Sequence, residues 1–258
     1  MRRINLSFII FLLITFAAKS QIGDIKKEAD RNTTNNSSYE KSSTSSSSDP
    51  CMESLFSFCF SSCTMLAIDL LSDHHNYLLK TYKSHPRVVS FEFEPGVAFS
   101  PDFENFHICP KIKGTWGVLG TEARYNALID FQDGYPERFT LIEWQIIQLN
   151  IMPSEYFNLR VGTGFVYEEY QDFFYNENYL GLYFHIKPDQ MYIELEGRNA
   201  YDYAVDRSTF SELALSANFA IFNFDHLTGT AGIGGQYQNY YETINLLSLT
   251  ASLNLNIH

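Results

Sequence analysis

The chain has little positive charge, few cysteines and no long apolar run. Only 18 of its 258 residues are Lys or Arg, against 30 Asp or Glu, and the formal net charge of -12 argues against a nucleic-acid partner. The N-terminal apolar run, residues 8–18, is too short to span a membrane as a helix. No Cys follows that run closely, which argues against a lipoprotein anchor.

The first 50 residues predict export and a tether. Arg2 and Arg3 precede the apolar run, and Ala18 and Ser20 are small residues where signal peptidase cleaves, so residues 1–20 are predicted to be a secretory signal peptide. The mature chain then begins at Gln21. Residues 21–50 are rich in Ser, Asn, Thr and charged side chains with little to bury, which predicts a disordered linker.

Beyond residue 86 the apolar period changes from 3.6 to 2, which is the spacing of β-strands. In the C-terminal stretch, residues 247–257, an apolar face alternates without a break with a face of small polar residues, over a length that can cross a bilayer when tilted. Similar alternation divides residues 86–258 into about ten strands. We place them near residues 88–99, 107–118, 123–132, 139–150, 156–168, 179–187, 190–201, 210–223, 228–238 and 244–257.

One face of most of these strands is apolar, and the other carries charges of both signs. Buried charges need partners, which a closed barrel supplies as an interior network with water, whereas a soluble sandwich would need an apolar core. We therefore predict a lumen filled by salt bridges. The predicted network consists of Glu92, Glu94, Lys111, Lys113, Arg124, Asp130, Arg160, Glu168, Lys187, Glu194, Glu196, Arg198 and Glu212.

One predicted strand, residues 139–150, breaks the pattern. Glu143 and Gln145 fall in phase with Leu141 and Ile147, while Trp144 takes the opposite phase. We expect either a β-bulge in this strand or a face that does not meet lipid.

Connection lengths alternate between short turns and longer loops, as expected when both barrel termini lie on the periplasmic side. The predicted longer loops include residues 169–178 and 202–209. With the signal peptide and the strand alternation, this pattern resembles small bacterial outer-membrane β-barrel proteins over residues 88–258. The resemblance is architectural, and it departs at His258, because many such barrels end on an aromatic residue. It implies a closed antiparallel up-and-down transmembrane barrel of about ten strands, with 8 or 12 as alternatives.

Residues 51–85 form a separate segment between the linker and the barrel. Apolar residues recur there at helical spacing, which predicts an amphipathic helix over residues 52–82. Asp69 and Asp73 argue against a membrane span. The candidate covers for its apolar face are the mouth of its own barrel, the inner leaflet of the outer membrane, or another protein, and we favour a protein partner.

The four cysteines predict a disulfide more readily than a metal site. Cys59 and Cys63 lie one helical turn apart but match no established zinc spacing, so we predict no metal and no cofactor. In an oxidising periplasm a disulfide among Cys51, Cys59 and Cys63 is favoured, and its pairing stays open. Cys109 belongs to the barrel, and we expect it to be unpaired with the other three.

His185 is the one candidate catalytic residue. Together with Glu194 and Glu196 it invites comparison with membrane-embedded hydrolases and acyltransferases that combine His, Ser and an acid. His185 shares the inner phase with Tyr183 and Lys187, however, and no Ser can be placed beside it. A histidine satisfied within the lumen is the preferred interpretation.

The sequence therefore predicts a bacterial outer-membrane barrel with a structural, binding or accessory role and no enzymatic activity. Two alternatives stay open: a lipid-modifying enzyme, and a narrow pore or transporter. The lipid bilayer is its predicted environment. Fold predicts little about activity in this class of protein.

Overall fold

The architecture is a closed antiparallel β-barrel with two helices that precede it in the chain. The computed structural model describes residues 22–39, 71–80, 89–100, 105–130, 136–151, 156–187, 190–203, 206–224 and 226–257. Helix α1 is Ile22–Tyr39, and helix α2 covers residues 71–80. The strands are β1 (Val89–Glu94), β2 (Gly96–Phe99), β3 (Asn105–Ile108), β4 (Lys111–Trp116), β5 (Leu119–Asp130), β6 (Glu137–Asn150), β7 (Phe157–Glu168), β8 (Phe173–Lys187), β9 (Met191–Asp202), β10 (Arg207–Phe224), β11 (Leu227–Tyr240) and β12 (Ile244–Ile257).

These segments form ten barrel strands, because two barrel strands are interrupted. Pro95 separates β1 from β2, and Cys109 with Pro110 separates β3 from β4. Proline cannot donate a backbone hydrogen bond, so the ladder breaks where it occurs. The last strand, β12, pairs antiparallel with both β1 and β2 and closes the barrel. The predicted closed ten-strand barrel is confirmed.

The barrel is apolar outside and charged inside. On β10, Leu213, Leu215 and Phe219 are exposed, whereas Glu212 and Asn218, of the opposite phase, are buried. Soluble proteins rarely bury charged side chains, and they do not surround them with a continuous apolar surface. This arrangement is that of a transmembrane β-barrel, whose outer face meets lipid. Neither helix, within the residues described, is both long and apolar enough to cross a bilayer.

A bulge in β6 resolves the broken alternation of that strand. The register between β6 and β7 shifts between Trp144 and Ile147. Trp144, Ile146 and Ile147 are all exposed on the outer face, while Gln145 is fully buried. The predicted bulge is confirmed, and it allows two consecutive isoleucines to face lipid.

The predicted long loops are shorter than expected. Strand β8 begins at Phe173 and β10 begins at Arg207, so the strands take up much of the predicted loops over residues 169–178 and 202–209. Two further residue pairs extend the ladder here: Phe173 pairs with Glu168, and Phe174 with Tyr167. We call the end at which β1 begins and β12 ends the proximal mouth, and the opposite end the distal mouth.

Helix α1 covers the distal mouth, so residues 22–39 of the predicted disordered linker are helical instead. Ile22, Ile25 and Ala29 are no more than 1% exposed. They pack on a cluster of barrel side chains that includes Phe139 and Tyr240. Three apolar residues at helical spacing are thus enough for docking when the barrel supplies the rest of the core. Residues 1–20 and 40–50, including the predicted signal peptide, lie outside the described residues.

Helix α2 contacts the opposite end of the barrel. Leu78 is buried against Val118, and the backbone N–H of Val118 donates a hydrogen bond to His75 Nδ1 at 3.4 Å. The His75 ring also meets Trp116 edge-on, with centroids 4.7 Å apart. Residues 71–80 of the predicted amphipathic helix therefore pack on the proximal mouth of their own barrel. The remainder of that predicted helix, with Cys51, Cys59 and Cys63, lies outside the described residues.

Candidate functional site: the charged lumen

The centre of the lumen is organised around two arginines. Arg198 on β9 forms ion pairs with five glutamates: it contacts Glu143, Glu177 and Glu196 at 3.5 Å each and Glu212 at 3.7 Å, and it also pairs with Glu122. All of these side chains are almost fully buried. A guanidinium carries five N–H donors, which allows one Arg to satisfy several carboxylates.

Arg124 on β5 forms the second centre. Its side chain pairs with Glu143 at 2.6 Å and with Glu212 at 2.5 Å. Gln236 and Gln238 donate further hydrogen bonds to Glu212 at 2.6 and 2.9 Å. Carboxylates from β6 and β10 are thus held by the same guanidinium, and Glu212 is also held by amide donors, as a buried charge requires.

Two lysines extend the network toward the proximal mouth. Lys111 contacts Glu94 at 3.2 Å, Glu196 at 3.6 Å and Glu194 at 3.8 Å. Lys113 lies 3.7 Å from Glu122 and donates a hydrogen bond to the Tyr183 hydroxyl at 2.8 Å. Together with the two arginines, these side chains form one connected network of ion pairs inside the lumen.

The structure brings most of the predicted network residues into the interior. Glu92 and Glu94 are half-buried, and Lys187 is exposed at the end of β8, which corrects its assignment to the network. The position of Lys187 at the proximal mouth lets its ammonium stay in water. The buried members are Lys111, Lys113, Arg124, Asp130, Arg160, Glu168, Glu194, Glu196, Arg198 and Glu212.

Two of these buried residues, Asp130 and Glu168, make contacts at the distal mouth and not in the central network. Asp130 accepts a hydrogen bond from the backbone N–H of Ile22 at 3.4 Å, which fixes the start of α1. Glu168 accepts a hydrogen bond from the hydroxyl of Tyr241, in the loop before β12. Burial, with Glu168 alongside, raises the pKa of Tyr241 well above its ordinary value. Both carboxylates therefore serve the contact between loops, helix and barrel.

Sequence reasoning missed three members of the network: Glu122, Glu143 and Glu177. Glu122 and Glu177 were assigned to connections, but β5 begins at Leu119 and β8 at Phe173. Glu143 lies in the strand with the broken alternation. Glu122 shares the inward phase of Arg124, and Glu177 shares that of Tyr179. Longer predicted strands would therefore have placed both glutamates in the lumen.

The proximal mouth contains a pocket of ≈ 100 Å³ below the network. His185 lines it half-buried, with its ring centroid 5.3 Å from that of Tyr192. Glu194 and Glu196 both pair with Lys111 in the network. Among the described residues the hydroxyl groups of this lining belong to Thr228, Thr230, Tyr183 and Tyr192. The lining residues are Glu92, Asn158, Arg160, Tyr183, His185, Gln190, Tyr192, Thr228, Thr230, Asn254 and Asn256.

Cys109 is a free thiol in the wall of the barrel. Its backbone N–H donates a hydrogen bond to the carbonyl of Gly96 at 2.9 Å, across the break between the strand segments. A Cβ at Gly96 would lie 2.9 Å from the Cys109 carbonyl oxygen, so the close approach requires glycine. In the part of the chain that the structure describes, no group of three His, Cys, Asp or Glu side chains could hold a metal ion.

Comparison with known proteins gives matches among solved structures. No family model matches the chain, and no curated protein matches it. The NanC porin is 7% identical with a TM-score of 0.33, over 65% of this chain and 99% of the porin. Neisserial surface protein A is 10% identical with a TM-score of 0.28, over 66% of this chain and 94% of that one. OprD of Pseudomonas aeruginosa is 11% identical with a TM-score of 0.27, over 66% of this chain and 57% of that one.

Proposed function

We propose that this protein is a closed barrel of the bacterial outer membrane with a structural, binding or accessory role, inserted after removal of a signal peptide. The observation that carries the proposal is the cross-lumen network around Arg124 and Arg198. Its carboxylates come from β5, β6, β8, β9 and β10, so the network ties together one half of the barrel wall and crosses the bore.

Energetic considerations support a closed state. Opening a path for solutes would separate several buried ion pairs, and a charge left buried without its partner costs about 3–5 kcal/mol. Ten strands also enclose a narrow bore once long side chains fill it. Helix α1 adds a second barrier at the distal mouth, where Lys26 pairs with Glu137 at 3.3 Å and Asn32 donates to Asp202 at 3.2 Å.

A protein partner at the proximal mouth is part of the proposal. On α2, Leu71 is 38% exposed, while Leu78 faces the barrel. The helix thus keeps Leu71 partly exposed to solvent on its outer side. Exposed apolar side chains beside a buried face favour an interaction surface.

Conductance across planar bilayers tests whether the barrel is closed. The purified full chain, verified as folded by a heat-modifiability gel, should give no stepwise ion current under an applied voltage. A variant that lacks residues 22–39 should also stay silent, because the central network remains in place without α1. Stable single-channel currents from the full chain would favour the alternative, a narrow pore. Currents from the deletion variant alone would show instead that α1 is the barrier.

A further inference from the structure

We infer that the pocket in the proximal mouth binds a small hydroxylated monocarboxylate, with Arg160 holding its carboxylate. This site adds ligand binding to the closed barrel. The inference rests on the proposed function in one respect only, namely which side of the membrane the pocket opens to. Binding itself depends on the pocket and not on whether the barrel conducts.

Arg160 is a buried cation that makes no direct ion pair with a described residue, and Glu92 and Glu194 act on it only at longer range. Its side chain is 4% exposed. Within the described residues no carboxylate lies within ion-pair distance of it, and its Nε and Nη1 atoms meet no hydrogen-bond acceptor. This contrasts with Arg124 and Arg198 in the same lumen, each of which holds two or more glutamates. A buried guanidinium with unsatisfied N–H donors is costly, and an anion in the adjoining pocket would accept hydrogen bonds from them and reduce that cost.

The surroundings of Arg160 fix its orientation toward the pocket. Its guanidinium carbon lies 4.7 Å from the centre of the Tyr183 ring, and Lys113 Nζ lies 4.9 Å from the same ring. Lys113 is already paired with Glu122, so its charge is engaged in the network. The charge available to a ligand is therefore that of one arginine, which suits a single carboxylate through charge-assisted hydrogen bonds.

Amide groups around the pocket add capacity for hydroxyl groups. The side-chain oxygens of Asn158, Asn254 and Asn256 are buried without a hydrogen-bond partner in the described part of the chain. Asn158 is only 1% exposed and follows the same inward phase of β7 as Arg160. Ligand hydroxyls can donate to such oxygens and accept from the amide nitrogens. Water can occupy these positions in an empty pocket, and a ligand that displaces it must reproduce its hydrogen bonds.

Glu92 sets the charge of the ligand. It lines the same pocket from β1, across the barrel from β7, and accepts a hydrogen bond from Asn256 at 3.1 Å. A second negative charge on the ligand would approach this carboxylate and be repelled. The pocket therefore favours a monoanion over phosphate or a dicarboxylate. Its volume of ≈ 100 Å³ suits a short carbon chain.

Titration calorimetry on the folded full chain in detergent micelles, with glycerate as the probe, tests the inference. Glycerol is the matched neutral compound, because it differs by the missing carboxylate. Glycerate should bind saturably, and glycerol or inorganic phosphate should bind about tenfold more weakly or not at all, as expected when a charge-assisted contact is lost. Glycerol or phosphate binding as tightly as glycerate, or no binding of glycerate, would overturn the inference.

Variants then assign the carboxylate contact to Arg160. Arg160→Gln should weaken glycerate binding about tenfold or more while Arg160→Lys retains part of it, because a hydrogen bond to a charged group is lost only in the first. Arg138→Gln is the matched control, since Arg138 pairs with Glu169 at the distal mouth and should leave binding unchanged. Unchanged binding in Arg160→Gln would refute the assignment.

A second variant keeps the test decisive if Arg160→Gln does not fold. Asn254→Asp keeps Arg160 and adds a negative charge to the pocket wall, so it should also weaken glycerate binding. Glycerate binding equal to that of the parent chain would count against the site.

A conductance measurement separates this inference from the proposed function. A chain that binds glycerate and conducts refutes only the closed barrel, whereas a silent chain that does not bind glycerate refutes only the ligand site.

Discussion

Arg124 on β5 and Glu212 on β10 meet across the lumen in a two-point contact, with Nη1 2.5 Å from Oε1 and Nη2 3.1 Å from Oε2. The two strands lie on opposite sides of a ten-strand barrel, so this pair spans its diameter. Glu143 on the neighbouring β6 accepts from Arg124 Nε at 2.9 Å. One guanidinium thus connects two walls that share no backbone hydrogen bonds, and it fixes the distance between them.

Replacing Arg124 by Met should strongly destabilise the barrel. Glu143 and Glu212 would lose a shared cation while staying buried, which costs about 3–5 kcal/mol. Urea unfolding of the barrel in lipid vesicles measures the free energy of unfolding. Arg138→Met is the control, because the exposed pair of Arg138 with Glu169 should contribute no more than about 1 kcal/mol. Equal losses in the two variants would mean that the cross-lumen network adds no stability.

The barrel strands were predictable because side-chain alternation is a local property of the chain. Strand β12 runs over Ile244–Ile257, the stretch that the sequence predicts, and the bulge in β6 follows from the conflict between Glu143 and Trp144. Helix α1 was not predictable in the same way. Its docking depends on Ile22, Ile25 and Ala29 meeting aromatic residues more than 100 positions away, which no local pattern records.

The pairing of lumen charges was not predictable either. Arg124 and Arg160 share the same inward phase, yet one pairs with two glutamates and the other with none among the described residues. The difference comes from the register of β5 and β7 with their neighbours and from what faces them across the barrel. Sequence periodicity gives the face of a residue, whereas its partner depends on strand stagger around the whole barrel.

Ile25→Asp should release α1 from the distal mouth. Ile25 is fully buried in the apolar cluster, and a carboxylate there would have to leave it or lose its hydration. Trypsin should then cleave after Lys26 and Lys27 roughly tenfold faster or more, since proteolysis follows the population of the open form. Asp24→Asn, at an exposed position of the same turn, is the control. Identical cleavage rates would show that Ile25 does not hold the helix.

Gly164→Ala and Gly114→Ala should change stability in opposite directions. A Cβ at Gly164 would lie 2.0 Å from the carbonyl oxygen of Trp144, beside the bulge in β6, so Ala should cost about 1–3 kcal/mol. A Cβ at Gly114 meets its nearest atom, Thr121 Cγ2, at 3.9 Å, so Ala should gain about 0.5–1 kcal/mol. Urea midpoints in lipid vesicles give both values. A loss at Gly114 as large as that at Gly164 would contradict the close packing inferred at the bulge.

Leu215→Arg should destabilise the barrel because Leu215 faces lipid near the middle of β10. The side chain is 53% exposed, and its cross-strand neighbours are Leu195 and Gly235. Arginine at the bilayer midplane of a barrel costs about 2–4 kcal/mol. Ser216→Arg is the inward comparison, since Ser216 borders the lumen cavity shared with Glu194 and Glu212, whose carboxylates can receive a guanidinium.

A comparison of lipid vesicles with detergent micelles shows whether lipid causes the loss of unfolding free energy in Leu215→Arg. In long-chain lipid vesicles Leu215→Arg should lose more unfolding free energy than Ser216→Arg, and Leu215→Met should stay close to the parent protein. In micelles of a short-chain detergent the penalty at Leu215 should shrink, because water reaches the guanidinium across a thinner apolar layer. A loss that is equal in both media, or equal at the two positions, would mean that β10 does not present Leu215 to a bilayer.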